Sequence, residues 1–188
     1  VDNTFNVPPS HALAFCHELG RRKLVLQWTA YVTPAGLTRE VVDAMSKAGC
    51  TSVDLGTDAA TPATLAGLRK SFTCREIESA CDWLREAKIR FSHSLILGGP
   101  GESPQTLRET VNFINATRPT AVIAMLGVRL YPNTALAAQA AREGLIREEE
   151  IGLEPVFYIS ESVHDNLETF ATGVRQSHPH WYFPGLEG

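Results

Sequence analysis

Short apolar runs rich in β-branched residues alternate along this chain with longer segments whose apolar positions return every three or four residues. That alternation predicts strands and amphipathic helices in succession, the pattern of βαβ units on a parallel sheet. Residues 1–5 read as a strand end. Pro8-Pro9-Ser10 opens a helix to about Gly20, with proline near a first turn where its missing N–H costs little. Residues 24–31 read as a strand. Thr38 caps a helix carrying Val41, Val42 and Met45 that Gly49 stops, and 51–56 is the next strand. Thr61-Pro62 starts a short helix to about Arg69. Thr73 and Glu76 form a capping box for a helix with Ile77, Ala80, Cys81 and Leu84 on one face. The strand 91–97 runs into Gly98-Gly99-Pro100-Gly101, and Ser103-Pro104 begins a helix that ends before Pro119. Residues 121–130 are the last clear strand, and Thr134 begins an Ala-rich helix closed by Gly144. Beyond it, 156–160 reads as a further strand or edge and 162–176 as a terminal helix.

A strand end, then strand and helix four times, then an extension, predicts an α/β fold. It is expected to be a partial (β/α) TIM-like barrel with parallel strands and a small C-terminal extension. A complete barrel needs roughly 250 residues, and this chain has 188 and begins with Val1 rather than Met. The expected division is a partial barrel over 1–152, from the end of strand 2 to strand 6 and its helix, and an extension over 153–185. Residues 186–188 carry no structural weight and read as an expression scar. No internal repeat or linker argues for two domains.

With 44% hydrophobic and 20% charged residues the composition is that of an ordinary folded domain. The net charge of -4 is spread over interspersed signs, so the electrostatic footprint of a nucleic-acid binder is missing. No run approaches the roughly 18 apolar residues of a membrane span, nothing resembles a signal peptide, and a cytoplasmic location is expected. The cysteines Cys16, Cys50, Cys74 and Cys81 have no CxxC or other thiolate-ligand spacing and read as reduced, buried thiols. His178 and His180 flank Pro179 and could ligate a metal; a solvated or packed tail is the other reading.

In parallel α/β barrels chemistry sits at the carboxyl ends of the strands. That rule selects Asp2-Asn3-Thr4, Gly56-Thr57-Asp58, Ser94 with Gly98-Gly99-Pro100-Gly101-Glu102, and Arg129-Leu130-Tyr131-Pro132. The glycine turn is not a phosphate cradle, because a P-loop ends in GK[ST] and Glu102 would repel phosphate. It could also be nothing more than a tight strand-to-helix connection.

Taken in order, these clusters resemble the radical S-adenosylmethionine (radical SAM) superfamily, especially members with an upstream cobalamin-binding domain. Val53-Asp54-Leu55-Gly56-Thr57-Asp58, with Lys70-Ser71-Phe72-Thr73 downstream, is similar to the family's fourth-strand motif and its basic residue. Ser94-Leu95-Ile96-Leu97-Gly98-Gly99-Pro100-Gly101-Glu102-Ser103 is similar to the fifth-strand glycine motif. Leu130-Tyr131-Pro132-Asn133-Thr134-Ala135-Leu136 resembles the sixth-strand exit, and Asp2-Asn3-Thr4-Phe5-Asn6 the turn after the second strand. Segments 153–158 and 178–185 resemble cobalamin-type tails.

The resemblance implies that the chain is the S-adenosylmethionine-binding part of an iron–sulfur enzyme, of the oxidoreductase or the cobalamin-dependent methyltransferase type. Asp58 would accept hydrogen bonds from the ribose diol, helped by Ser94 and beside Gly56, and Lys70 would pair with the methionine carboxylate. Adenine would pack on Ile96, its edge read by backbone beside Leu97, with Gly98 and Gly99 letting it approach. Three positions depart from the common pattern: Asp58 stands for Glu or Gln, Ser94 for Gly or Asp, and Asn3 for a second Asp.

The 4Fe-4S cluster would be held by a CxxxCxxC loop after the family's first strand, upstream of Val1, and cobalamin by a domain further upstream. No metal ligand or catalytic residue is then expected in this chain, and the chain alone is expected to be inactive. The substrate would be a small molecule or lipid entering at the barrel mouth, with Trp181, Tyr182 and Phe183 either covering it or packing in the core. An open sheet edge predicts self-association. Two readings compete: a cluster-free barrel lyase or aldolase, which needs a Schiff-base lysine or a metal-binding set, and a non-catalytic binding or scaffold domain.

Overall fold

A computed structural model describes residues 4–147 and 150–186. In chain order the elements are α1 (Pro9–Arg21), β1 (Trp28–Val32), α2 (Arg39–Lys47), β2 (Cys50–Asp58), α3 (Pro62–Gly67), α4 (Cys74–Glu86), β3 (Arg90–Leu97) and α5 (Pro104–Ala116). They continue with β4 (Ala121–Leu126), β5 (Val128–Arg129), α6 (Ala135–Arg142), β6 (Phe157–Tyr158), a single 3-10 turn at His164–Asn166, α7 (Leu167–Ser177) and β7 (Trp181–Tyr182). Five strands form a parallel sheet in the order β1-β2-β3-β4-β7, and β5 and β6 make a small antiparallel ribbon beside it. The sheet does not close, so the architecture is the partial barrel that the strand and helix succession predicts.

Strands covered on both faces read as continuous apolar runs; the central strands here alternate instead. In β2 the buried positions are Cys50, Val53, Leu55 and Thr57, and in β3 they are Phe91, His93, Leu95 and Leu97. These face a helix layer in which Met45, Ile77, Leu84 and Ile114 are fully buried, each contributing about 1.5–3 kcal/mol of transfer free energy. The intervening residues Ser52, Asp54, Gly56 and Asp58 of β2, and Ser92, Ser94 and Ile96 of β3, are half-buried on the opposite, inner face. Helix starts follow the predicted caps: Glu76 N–H donates to Thr73 Oγ1 while Thr73 N–H donates to the Glu76 carboxylate at 2.8 Å.

Three predicted strand boundaries are corrected and one strand is added. The strand expected over 24–31 begins only at Trp28, opposite Cys50 where β2 starts, so Leu24, Val25 and Leu26 have no neighbour to pair with; Val25 is 97% exposed. The strand expected over 51–56 continues to Asp58. The strand expected over 121–130 breaks at Gly127, whose φ of +77° bends the chain out of the sheet and sends Val128 and Arg129 to pair with β6. Trp181–Tyr182, read only as a tail, is a fifth parallel strand paired with Val122 and Ile123. Trp181 and Phe183 are buried, so that part of the tail packs in the core. Among the described residues no helix is long and apolar enough to cross a membrane.

Candidate functional site

At the carboxyl end of β2 the register against β3 slips between Gly56 and Asp58, and Asp58 takes a left-handed φ of +58°. Aspartate tolerates that region better than most residues, and such a bulge re-aims the side chain it carries. Thr57, at the slip, points into the helix layer, where its hydroxyl lies 2.7 Å from Nδ1 of the buried His93. From Asp58 the chain enters α3, which begins on the Thr61 and Thr64 capping box and ends at Gly67. This short helix turns the chain back, so that Lys70 Nζ pairs with Asp58 Oδ2.

One strand over, the Ser94 hydroxyl donates to both carboxylate oxygens of Asp54, at 2.9 and 3.0 Å. Burial holds the Asp54 carboxyl above its ordinary value, against the pull of the Ser94 and Ser92 hydroxyls. Asp54 is a candidate that the strand-end rule overlooks. The signal was the alternation itself, which puts Asp54, Gly56 and Asp58 on one face of β2. Ile96 follows Ser94 on the same face of β3.

The glycine turn is held from inside. Gly98 N–H donates to Glu102 Oε2 at 3.2 Å, and the Thr106 hydroxyl donates to Glu102 Oε1 at 2.5 Å. Burial raises the Glu102 carboxyl above its usual range. The Leu97 carbonyl accepts from Gly127 N–H and the Gly98 carbonyl from Ser160 N–H, each at 2.8 Å. The backbone expected to read an adenine edge therefore already has one partner per group, and only the second carbonyl lone pairs are open. The turn seats on α3 so closely that a Cβ at Gly67 would lie 1.9 Å from the Pro100 carbonyl oxygen.

Gly56, Asp58, Lys70, Ser94, Ile96, Gly98 and Gly99 thus gather at the carboxyl-end half of two neighbouring strands. Asp58 and Lys70, expected at opposite ends of the cosubstrate, are paired with each other. Asp2 and Asn3 lie outside the described residues. Asn6 of that cluster is buried, and its amide spans the chain after β1 through Thr33 and Ala35. The Arg129 guanidinium stands 5.1 Å from the centre of the exposed Tyr131 ring, on the ribbon rather than the sheet. His180 and Trp181 both bond to Asn115 Oδ1, at 3.0 and 2.9 Å, which ties the histidine tail to α5.

Among the described residues no three His, Cys, Asp or Glu side chains gather to hold a metal ion. Burial raises all four thiols, Cys50 and Cys81 to about 12, so none is poised as a thiolate ligand. A cavity of about 980 Å³ opens on the inner face below the strand ends, at the amino-terminal half of the sheet, with Asp54, Arg90 and Tyr31 in its wall.

The model of the radical SAM superfamily matches residues 10–114. The chain is 24% identical over 157 residues to the tryptophan 2-C-methyltransferase of Streptomyces laurentii, covering 76% of this chain and 26% of that protein. It is 29% identical over 168 residues to the ribosomal protein uS12 methylthiotransferase RimO of Nitratidesulfovibrio vulgaris, covering 83% and 38%. The chain therefore spans only about a quarter to under two fifths of these relatives' lengths. Among solved structures it superposes on the radical S-adenosylmethionine methyltransferase TsrM of Kitasatospora setae, determined with cobalamin and a [4Fe-4S] cluster. The TM-score is 0.82 at 22% identity, over 100% of this chain and 45% of that one. Coproporphyrinogen III oxidase (HemN) of Escherichia coli superposes with a TM-score of 0.60 at 14% identity, over 88% of this chain and 37% of that one.

Proposed function

The chain belongs to the radical SAM superfamily, and from that premise we propose that its strand ends form the S-adenosylmethionine-binding side of a methyl- or methylthio-transferring enzyme. One observation carries this reading. Two polar pairs, Asp58 with Lys70 and Asp54 with Ser94, line the inner face of adjacent strands near the apolar Ile96 and a glycine turn. The cosubstrate needs acceptors for a ribose diol, a cation for its carboxylate and an apolar shelf for adenine, and this donor set supplies each. Asp58 and Ser94 serve the diol, Ile96 the ring, and Lys70 would leave Asp58 for the ligand's carboxylate. Bound S-adenosylmethionine brings the sulfonium group whose carbon–sulfur bonds such chemistry breaks.

The described residues do not fit an iron–sulfur cluster, since their thiols are raised by burial and do not converge. We place its ligands, and a cobalamin-binding domain, outside this chain, and infer that this chain alone is inactive. A small molecule is the preferred substrate class, in line with the methyltransferase relatives. The β1 edge, where Phe5 N–H already occupies the Tyr31 carbonyl at 2.8 Å, is the face assigned to self-association.

Calorimetric titration with S-adenosylhomocysteine tests the reading. Binding that weakens about tenfold in Asp58→Asn and in Ser94→Ala is expected, the loss of one hydrogen bond to a polar ligand group each. Absence of binding by the intact chain would favour the scaffold reading. Reconstitution with iron and sulfide under argon is expected to give no stoichiometric four-iron signal.

A further inference from the structure

The wall of the inner-face cavity carries two opposite charges that do not meet. Asp54 and Arg90 both line it, and no described residue makes an ion pair with either. Their relative position follows from the register. Arg90 stands opposite Ser52, and Ser92 opposite Asp54, so the two charges are diagonal neighbours on adjacent strands. Strands about 4.8 Å apart with a rise of about 3.3 Å per residue put their backbones about 8 Å from each other. The carboxylate is short and the guanidinium long, so a small molecule can enter between the two heads. The Asp54 carboxylate shares the single Ser94 hydrogen across both oxygens, with the Ser92 hydroxyl beside it, and keeps lone pairs open to a ligand.

Beyond those charges the wall is mixed: His11, Ser52 and Ser92 are polar, and Phe5, Pro8 and Tyr31 form an apolar patch. Phe5 and Tyr31 line the cavity, and Tyr31 is 61% exposed. Leaving a half-buried carboxylate without a counter-charge is costly, so the site favours a ligand that brings the missing cation. It must bring an anion for Arg90 as well, because a lone cation would be repelled by the guanidinium. Asp54 precedes Asp58 by four residues of strand, about 13 Å, so this cavity lies beneath the nucleoside end and not within it.

We propose that the cavity binds a zwitterionic α-amino acid with a flat apolar side chain, its ammonium group on Asp54, its carboxylate on Arg90 and its side chain against Tyr31 and Phe5. Only the further step of calling that amino acid the substrate rests on the function proposed above; binding itself does not.

A charge series tests this. L-phenylalanine and L-tryptophan, each with its decarboxylated amine and its deaminated acid, are titrated into the chain by calorimetry, with S-adenosylhomocysteine in parallel. The amino acids are expected to bind about tenfold more tightly than either single-charge analogue. Asp54→Asn should weaken the amino acid and the amine and strengthen the acid slightly; Arg90→Gln should weaken the amino acid and the acid and strengthen the amine slightly. Arg90 is solvent-exposed, so its variant folds and keeps its affinity for S-adenosylhomocysteine. Equal affinity across each trio, or no binding by any member while S-adenosylhomocysteine still binds, overturns this inference alone. Loss of S-adenosylhomocysteine binding in the unmodified chain overturns the nucleoside reading and leaves the amino-acid result to stand or fall by itself.

Discussion

Lys70 reaches Asp58 from the far side of one short helix, twelve residues along the chain, and closes an ion pair over the end of β2. The two side chains keep 27% and 24% of their surface exposed. A part-buried pair that still reaches solvent contributes about 1 kcal/mol to folding; its value lies in what it holds ready. Asp58→Asn keeps the left-handed backbone, since asparagine tolerates it, and removes only the charge. The expected outcome is an affinity for S-adenosylhomocysteine about tenfold lower, with a thermal midpoint almost unchanged. A large drop in midpoint with affinity intact would show that the pair is structural.

Asp54 is expected to behave in the opposite way. Burial holds its carboxyl above the ordinary value, so the stability linked to it is full below about pH 3.9 and is lost as pH rises and the group ionises. Asp54→Asn cannot ionise, yet its amide oxygen can still accept from Ser94. At pH 7 the variant should melt higher than the native chain, by under about 1 kcal/mol after discounting for solvent screening. The gain should shrink as the buffer is taken toward pH 4. Differential scanning calorimetry at several pH values reads this, and a variant less stable at pH 7 refutes it.

That contrast marks how far the sequence could be read. Asp58 stands at the end of β2, where the strand-end rule looks; Asp54 sits inside the strand, where only its alternation with Val53 and Leu55 gives it away. Helix starts were legible because caps such as Thr73 with Glu76 are local chemistry. The failures were non-local. Leu24 to Leu26 have strand composition, but β2 begins too late to pair with them, and β7 exists because β4 offers a free edge to two residues that alone carry no strand signal. The pairing of Lys70 with Asp58 depends on the length of α3, which spacing alone does not fix.

His93 should make the fold sensitive to acid. It is fully buried between Thr57 and Thr117, with ring contacts of 2.7 and 2.9 Å. The Thr117 hydroxyl donates to the Ile114 carbonyl at 2.7 Å and so accepts from Nε2–H, leaving Thr57 to donate to Nδ1 at 2.7 Å in preference to the Leu55 carbonyl at 3.2 Å. That assignment satisfies a neutral ring, and burial pushes its pKa down to about 3. The folded value lies below the unfolded one of about 6.5, so the linked stability is full above pH 6.5 and falls as pH drops toward 3. Urea midpoints should decline between pH 6.5 and pH 5, less so in His93→Gln. In the native chain the ring-proton shift of His93 should stay constant from pH 7 to pH 5. A titrating His93 signal in the folded chain would contradict this.

Two glycines in helices should respond with opposite signs. An added Cβ at Gly67 would collide with the Pro100 carbonyl, a backbone atom that cannot rotate away, whereas at Gly173 it would meet nothing within 4 Å. Gly173→Ala is therefore expected to stabilise the chain by about 0.5–1 kcal/mol through helix propensity. Gly67→Ala should destabilise it by about 1–3 kcal/mol, because either α3 or the glycine turn must move. The same movement has a functional reading. α3 carries the chain from Asp58 to Lys70, and the turn follows Ile96 on β3, so displacing one against the other separates the groups proposed to hold the ribose and the adenine. Gly67→Ala should accordingly lower the affinity for S-adenosylhomocysteine as well as the melting midpoint, while Gly173→Ala raises the midpoint and leaves affinity alone. If Gly67→Ala lost stability but bound the nucleoside normally, the contact between α3 and the turn would serve packing only, and the binding groups would have to be sought along the inner face nearer Asp54.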